Sequence, residues 1–521
     1  MNSIGNIDSF MFVLPELIIA ATMVIIFLLE ALIAPQGKKR QIIFPLLAGL
    51  GLVAALVLLF ATGGFAFISN RPIIFNGLIT LDPFSVFSRG LVIIATTLVI
   101  FLGIDQPSLP DSRRIEYHGL LLLLTLGMCL LASANHLLMI FVALETVSLA
   151  SYLLTGFDNR SGRSAEAGLK YVLYGGVASG VMLFGFTLLF GLFGELSLST
   201  LGRAIVGSQA LQNSAGQWAA LIAFVFVLTG IGFKIAAAPF HMWCPDVYEG
   251  APTPFTALLS VAPKAAGFAV LMRITFLIFP NTANAGRVLL NHAVPWVLVL
   301  GIVASITMTL GNLSAIWQNN LKRLLAYSSI AHAGYLLMGV VAGGSDGIGA
   351  LIVYLAVYLA MNIGAFAVVA AVDRAYQKAQ DAKSDNVQLH SSEDISAFCG
   401  LGRRAPLLAL CMAIFLISLA GLPPTAGFIG KLYLFAALIK NGGFWYVALA
   451  LVGIINSVIS LYFYARVLKA MYLERNENEQ PNITSKSTAA FLAFGLAAAT
   501  LVFGIFWQPL ADMASWSAKI F

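Results

Sequence analysis

Charge is what this 521-residue chain has least of. Lys and Arg number 29 and Asp and Glu 23, so 10% of residues are charged, against about 25% in a soluble globular domain. A soluble chain of this length folds as roughly three or four domains, each with a polar surface. There are too few polar residues to cover such surfaces, which excludes a soluble enzyme and a disordered chain. Cysteine is scarce as well. Cys129, Cys244, Cys399 and Cys411 form no CxxC, which excludes a disulfide-stapled domain and a Cys-based metal or Fe–S site. They read as small apolar residues. No GxGxxG opens a βαβ unit, and there is no P-loop and no HExxH, so the chain has no familiar motif for binding NADH or ATP itself. The net charge of +6 contains no basic cluster interleaved with aromatics, so nucleic acid is not an expected partner.

What is abundant is apolar sequence: 60% of residues are hydrophobic. It comes in long solid runs, not the short alternating segments of a β-barrel. The fold class is therefore an all-α polytopic membrane protein in a lipid bilayer. A span needs about 20 apolar residues, and fourteen runs qualify: 10–34, 42–62, 84–104, 117–134, 136–157, 168–194, 218–240, 253–279, 294–311, 324–342, 347–372, 406–440, 444–472 and 487–508. The split between the fourth and fifth rests on Ala134 and Asn135 alone, and the twelfth is long enough for two half-helices. The run at 10–34 reads as a span and not a cleavable signal, because it is long and no basic residue precedes it.

Lys and Arg outside the spans fall mostly in the connections after odd-numbered spans. The even connections and the termini hold Arg71, Arg203, Arg287, Lys440 and Lys519. Cytoplasmic loops carry the excess of Lys and Arg. The odd connections are thus expected in the cytoplasm, and both termini on the other side. The one long polar connection, 373–405, reads as a linker or a surface helix contacting a partner, its charges a solvated face.

An ionisable residue at the centre of a span costs at least about 2.5–3.5 kcal/mol on insertion scales. Glu145 in the fifth run, Lys234 in the seventh, Lys264 in the eighth and Lys431 in the twelfth all stand deep in apolar sequence. A structural ion pair or a snorkelling lysine is the plainer explanation of each. Proton handling is the sharper one. Removal from water disfavours the charged form of a side chain, and a nearby opposite charge restores it. A lysine whose carboxylate partner approaches or retreats can take a proton from one side and give it to the other. Glu145, the one acid deep in a central span, is the natural modulator of Lys234.

Prolines stand beside all three lysines: Pro239 after Lys234, Pro263 before Lys264, and Pro423-Pro424 before Lys431. Proline breaks helices, and broken helices at membrane depth line cavities or lie under protein. Three breaks are therefore expected. A second tier comprises His241, Lys322, Tyr327 and His332. In LKRLLAYSSIAHAGYLL, Lys322 stands at the cytoplasmic mouth of the tenth span, with Tyr327, Ser328, Ser329 and His332 one or two turns below. Lys322 and His332 are secondary relay candidates; for His332 a hydrogen-bonded structural role weighs equally. Glu16 and Glu30 either contact a neighbouring subunit or reach the interface. Arg89, Arg273, Arg466 and Lys469 read mostly as snorkelling side chains.

The segment PFHMWCPDVYEGAPTPFTALLSVAPKAAGF (239–268) resembles the signature of the proton-pumping membrane subunits of respiratory complex I, and among them subunit N, called subunit 2 in mitochondria. LKRLLAYSSIAHAGY (321–335), SLAGLPPTAGFIGKLYLF (418–435) and AGLKYVLYGG (167–176) match the same family. The resemblance covers roughly spans 4 to 13. It implies an antiporter-like fold of about 14 transmembrane helices with two inverted five-helix repeats and broken helices. Residues 1–110 would form an N-terminal three-helix segment, 111–285 the first repeat (spans 4–8), 286–475 the second (spans 9–13), and 476–521 the C-terminal span. Glu145, Lys234, Lys264 and Lys431 would be the family's proton-carrying residues, and Lys322 the lysine of its LKR motif. No cofactor is expected in this chain. NADH, FMN, Fe–S clusters and quinone would belong to other subunits, and the partners would be other membrane subunits of complex I. The expected place is the bacterial plasma (inner) membrane, with a thylakoid as the alternative. Three rival readings remain: a subunit of an Mrp-type cation/proton antiporter, a purely structural membrane subunit, and, with nothing in the sequence to mark its pocket, a quinone-binding subunit.

Overall fold

The structure is a computed structural model that describes residues 9–33, 38–62, 73–107, 109, 111–158, 160–278, 296–382, 391–474, 481, 483 and 487–518. Within these residues the chain is almost wholly helical. The N-terminal segment holds α1 (Leu14–Ile33), α2 (Lys38–Thr62) and α3 (Pro83–Gly103). Five spans follow: α4 (Arg114–Ser133), α5 (Leu137–Thr155), α6 (Gly162–Phe193), the seventh span, and α10 (Thr253–Arg273). A short helix α7 (Leu198–Gly207) precedes the seventh span, which is split into α8 (Ser214–Ile235) and α9 (Trp243–Gly250). The second five are α11 (Trp296–Ile316), α12 (Leu321–Ala342), α13 (Gly344–Ala382), the split pair α14 (Pro406–Ala420) and α15 (Ala426–Asn441), and α16 (Phe444–Tyr472). The last span is α17 (Thr488–Ile505), and α18 (Gln508–Ala518) ends the described chain. Among the described residues, thirteen helices are long and apolar enough to cross a membrane. The pair α14–α15 makes the expected fourteenth, as two half-helices. In both sets of five the third member is the longest and the fourth is broken.

Local chemistry explains the ends. Asp82 and Ser85 form a reciprocal capping box at the start of α3, with Pro83 in its first turn, where a missing N–H costs nothing. Asn320 caps α12 by accepting from the Arg323 N–H at 3.1 Å. The breaks have their own signals. Ala236 adopts a left-handed φ of 57° after α8, and Gly421 one of 86° after α14. Pro239 and Pro423-Pro424 then prevent continuation. Pro263 behaves differently, contrary to the expectation of three breaks: α10 runs continuously through it. This helix is wholly enclosed by neighbours, whose packing keeps it helical on both sides of the proline.

The all-α fold class holds, with one small hairpin added to it: Ile73–Ile74 pairs with Ile79–Thr80, turned by Phe75, Asn76 and Gly77 at positive φ. Several other expectations are corrected. The long polar connection starts later than expected, because α13 continues to Ala382. Its charges are not simply solvated, since Glu393 folds back onto Lys322 at 2.9 Å. Arg89 and Arg273 do not snorkel. Arg89 meets Glu16 at 2.5 Å with both side chains buried, so Glu16 reaches neither a neighbour nor the interface. Arg273 grips both Asp82 oxygens at 2.8 and 2.9 Å and donates to the Ala132 carbonyl at 3.0 Å. The Arg89–Glu16 pair ties α3 to α1 within the N-terminal segment, and the Arg273–Asp82 pair pins that segment to the first set of five. Both arginines pair with acids inside the bundle, whose partners lie too far away in sequence to be recognised there. The repeat boundaries at 285/286 and 475/476, and the start of the ninth span at 294, lie outside the described residues.

Connections sort by parity. Those after spans 5, 7, 9 and 11 meet on one side, tied by Lys170–Asp246 (2.6 Å), Arg323–Asp246 (2.7 Å), Arg323–Glu249 (2.8 Å) and Lys322–Glu393. Those after spans 10 and 12 meet on the other, where Lys440 reaches Asp346 at 2.5 Å.

Candidate functional site

The broken and enclosed helices bring three lysines into the interior. Lys234, Lys264 and Lys431 are 1%, 1% and 3% exposed, and His332 is 2% exposed. Each lysine finds its partners from a different source.

Lys234 stands in the last turn of α8. Its Nζ donates to the Ser148 Oγ on α5 at 3.3 Å. Glu145 lies one turn earlier on α5 and makes no direct ion pair with Lys234. The two still interact electrostatically, so the carboxylate acts across a gap. Oxygen Oε1 of Glu145 is buried with no hydrogen-bond partner in the protein. The stem of Lys234 crosses Gly267 of α10, where an added Cβ would lie 3.7 Å from it. That is three residues from Lys264.

Lys264 points into α12. It donates to the carbonyl and hydroxyl oxygens of Ser329 at 2.7 and 2.5 Å, and Ser329 shares its hydroxyl with Tyr248 at 3.2 Å. Lys431 has no acidic partner among the described residues. Its Nζ donates to Leu419 and Ala420, the last carbonyls of α14, at 3.1 and 2.9 Å. It also sits 4.6 Å from the centre of the Tyr335 ring. A helix C-terminus carries partial negative charge and an aromatic face attracts cations, so the break itself supplies the counter-charge.

His332 lies between these lysines and interacts electrostatically with both. Its Nδ1 is 2.6 Å from the Tyr354 hydroxyl, and its Nε2 3.4 Å from that of Tyr464. Tyr464 in turn shares a 2.5 Å bond with Ser328. Ser329, His332 and Tyr335 are three residues apart on α12, one face of one helix, spanning about 9 Å along the axis. The arrangement is a line of groups able to carry protons, from Lys264 past His332 to Lys431, with no carboxylate in it.

Lys322 is placed elsewhere. It donates to the Glu249 and Ala251 carbonyls at 3.0 and 2.9 Å and to Glu393 at 2.9 Å, clasping the end of α9 to the connection after α13. The backbone of Tyr327 packs against Gly311 of α11. Among the residues that sequence reasoning missed, Ser148, Tyr335 and Tyr464 carried a weak signal, since polar and aromatic residues recur on otherwise apolar faces. Glu393 carried none.

Residues 134–460 match the family model described as NADH:quinone oxidoreductase/Mrp antiporter, TM. The chain is 42% identical to "NADH-quinone oxidoreductase subunit N" of an Anaeromyxobacter species, over 99% of this chain and 98% of that one. It is 43% identical to "NADH-quinone oxidoreductase subunit N 2" of Sorangium cellulosum, over 99% of each. The chain belongs to the NADH-quinone oxidoreductase subunit N family. Its structure is similar to a chain of Thermus thermophilus respiratory complex I with bound aureothin (TM-score 0.75, 30% identity, covering 96% of this chain and 99% of that one). A chain of the Mrp complex from a Dietzia species shares the fold (TM-score 0.77, 21% identity, covering 97% and 96%). The subunit N family thus has the antiporter-like architecture that the broken fourth helices imply.

Proposed function

We propose that the chain is the proton-translocating membrane subunit N of a respiratory NADH–quinone oxidoreductase, in which Glu145, Lys234, Lys264 and Lys431 carry the proton. NADH, FMN, Fe–S clusters and quinone belong to its partner subunits, and this chain has no redox site of its own. Energy from quinone reduction reaches it as an electrostatic and conformational change. Glu145 then shifts relative to Lys234, and the proton passes along Lys264 and His332 to Lys431. The odd connections face the cytoplasm of a bacterial cell, the membrane is the inner one, and both termini lie on the opposite side.

The observation that carries this reading is that Lys264 and Lys431 both meet α12, at Ser329 and at Tyr335, with His332 halfway between those two positions on the helix. A purely structural subunit has no use for two buried lysines aimed at the same helix face. Full-length identity above 40% to subunit N relatives, against fold-level likeness to an Mrp chain, favours complex I over the antiporter. The test is Lys234→Ala in the intact complex. Assembly and electron transfer to an artificial acceptor should persist while coupled pumping nearly vanishes; normal pumping in this variant rejects the mechanism.

A further inference from the structure

The second broken span leans on α16, an outer helix only 28% buried over its most apolar stretch. Ile454, Ile455 and Val458 of α16 are exposed, yet the two residues among them turn polar groups inward. Asn456, 2% exposed, accepts from Asn312 on α11 at 3.1 Å. Its own amide donates to Thr309, also on α11, at 3.2 Å and to the Val452 carbonyl one turn back at 3.0 Å. Ser457 is partly buried and reaches past α11. Its hydroxyl donates to the hydroxyl of Tyr335 on α12 at 3.1 Å. Asn312, 1% exposed, interacts with that same tyrosine hydroxyl.

Tyr335 is the residue whose ring faces Lys431, with its centre 4.6 Å from Nζ and 5.8 Å from the ring of His332. The same stretch of α16 also touches both supporting helices. A Cβ added at Gly453 would lie 2.8 Å from the Phe435 ring and 3.0 Å from the Met338 sulfur. Phe435 stands one turn after Lys431 on α15, and Met338 one turn after Tyr335 on α12. A tyrosine hydroxyl lies on the ring axis, so hydrogen bonds there let the ring flip but fix where that axis lies. The attraction of a cation to an aromatic face is lost beyond about 6 Å, so a small drift of the axis matters. The other partners of Lys431 are two carbonyls of α14, which belong to the backbone. The ring is the adjustable part of its surroundings.

We propose that Ser457, held in place by the Asn456–Asn312 bridge, is a positioning residue for Lys431, acting through the Tyr335 ring. The proposal rests on the proton-translocating reading above and adds to it a support from outside the line of lysines. The competing role is structural, since polar side chains bind membrane helices to one another. The Asn456–Asn312 bridge alone meets that need between α16 and α11. It leaves unexplained why Ser457 reaches a third helix at the one residue that faces Lys431.

The intact complex in inverted membrane vesicles separates these roles. Ser457→Ala removes the donor, and Tyr335→Phe keeps the ring and removes the acceptor. Each should lower pumping at least about threefold, with assembly and electron transfer to an artificial acceptor unchanged. Both delete the same hydrogen bond, so the double variant should pump no worse than the weaker single variant. Ser457→Thr, which keeps the hydroxyl, should pump normally. The pH dependence supplies a readout that a purely structural bond does not move. The ionisable groups around Lys431 are His332 and Tyr335 from α12, Tyr354 and Tyr358 from α13, and Tyr464 from α16. The break in α14 offers carbonyls, and α17 has no ionisable side chain. Ser457→Ala leaves all of these in place and only loosens the ring. The ammonium of Lys431 is then less favoured, and the pH at which pumping declines on the alkaline side should fall by roughly half a unit or more. Full pumping with an unmoved profile in Ser457→Ala, while Lys431→Ala does not pump, overturns the positioning role and leaves the function intact. Weaker pumping with an unmoved profile also overturns it. Full pumping by Lys431→Ala rejects the function itself. If Tyr335→Phe fails to assemble, the pH profile of Ser457→Ala decides alone: a downward shift supports the role, and no shift overturns it.

Discussion

The ammonium of Lys264 donates twice to one residue, to the carbonyl and the hydroxyl of Ser329 at 2.7 and 2.5 Å. No carboxylate stands beside it to fix its charge. The hydroxyl is therefore the adjustable half of its environment, and the carbonyl the constant half. Ser329→Ala removes one hydrogen bond to a charged group, worth about 1.5–3 kcal/mol. Proton transfer through Lys264 should slow by roughly tenfold or more, with Ser329→Thr close to the parent. Stopped-flow acidification of vesicles, set against electron transfer to an artificial acceptor, measures it. An unchanged pumping rate in Ser329→Ala removes Ser329 from the path.

The Asp82–Arg273 pair should dominate stability. Removing one partner of a buried pair leaves an uncompensated charge and costs about 3–5 kcal/mol. Asp82→Ala also loses the cap of α3. We expect Arg273→Ala and Asp82→Ala each to lower assembly of the complex sharply on native gels. The double variant Asp82→Leu, Arg273→Met should recover part of it, since an apolar pair of similar volume avoids the stranded charge.

Gly504 of α17 lies against the backbone of the second break. A Cβ there would fall 2.1 Å from the Pro424 carbonyl oxygen and 2.6 Å from the Thr425 carbonyl carbon. Backbone at a double proline yields little, so Gly504→Ala should push α17 away at a cost of about 1–3 kcal/mol. Gly495, on the same helix with nothing near its added Cβ, is the control. Thermal unfolding of the detergent-solubilised complex should show a lower Tm for Gly504→Ala and no loss for Gly495→Ala.

Cys399 reports on sidedness and on pH together. It is the one cysteine of the four that is not fully buried, and it follows the eleventh span. Burial first, and the Glu474 carboxylate second, hold its thiol above the ordinary value. The thiolate is the reactive form, so a membrane-impermeant maleimide should label it slowly at pH 7. The rate should still be rising above pH ~8.5, where an ordinary thiol is half ionised. Labelling should occur from the cytoplasmic face only. Labelling from the opposite face reverses the orientation proposed here.

The sequence made the helices legible because lipid enforces them: each span had to be long, apolar and continuous. It exposed Glu145, Lys234, Lys264 and Lys431 because burying them is costly, and cost shows in a sequence as rarity. What balances those charges was far less visible. The partners of Lys431 are backbone carbonyls, which every residue has. The partner of Lys264 is a serine, common in membrane helices. Glu16 and Arg89 looked peripheral because each stands near a span end, and only folding across 73 residues joins them. Pro263 looked like a break because its chemistry is that of a break; the enclosure of α10, a property of the whole bundle, overrules it.

That enclosure has a further consequence. The outer helices keep broad apolar faces, the first and thirteenth spans being only 28% buried over their most apolar stretch, whereas the eighth is 100% buried. A membrane that thins or thickens acts on helices that touch its acyl chains, by tilt and by mismatch. Lys264 rides on a helix without such a surface. Changing acyl-chain length should therefore alter how the complex associates and drifts within the membrane well before it alters how readily that amine gains or loses a proton, leaving the same pump able to work in cells that remodel their lipids with temperature.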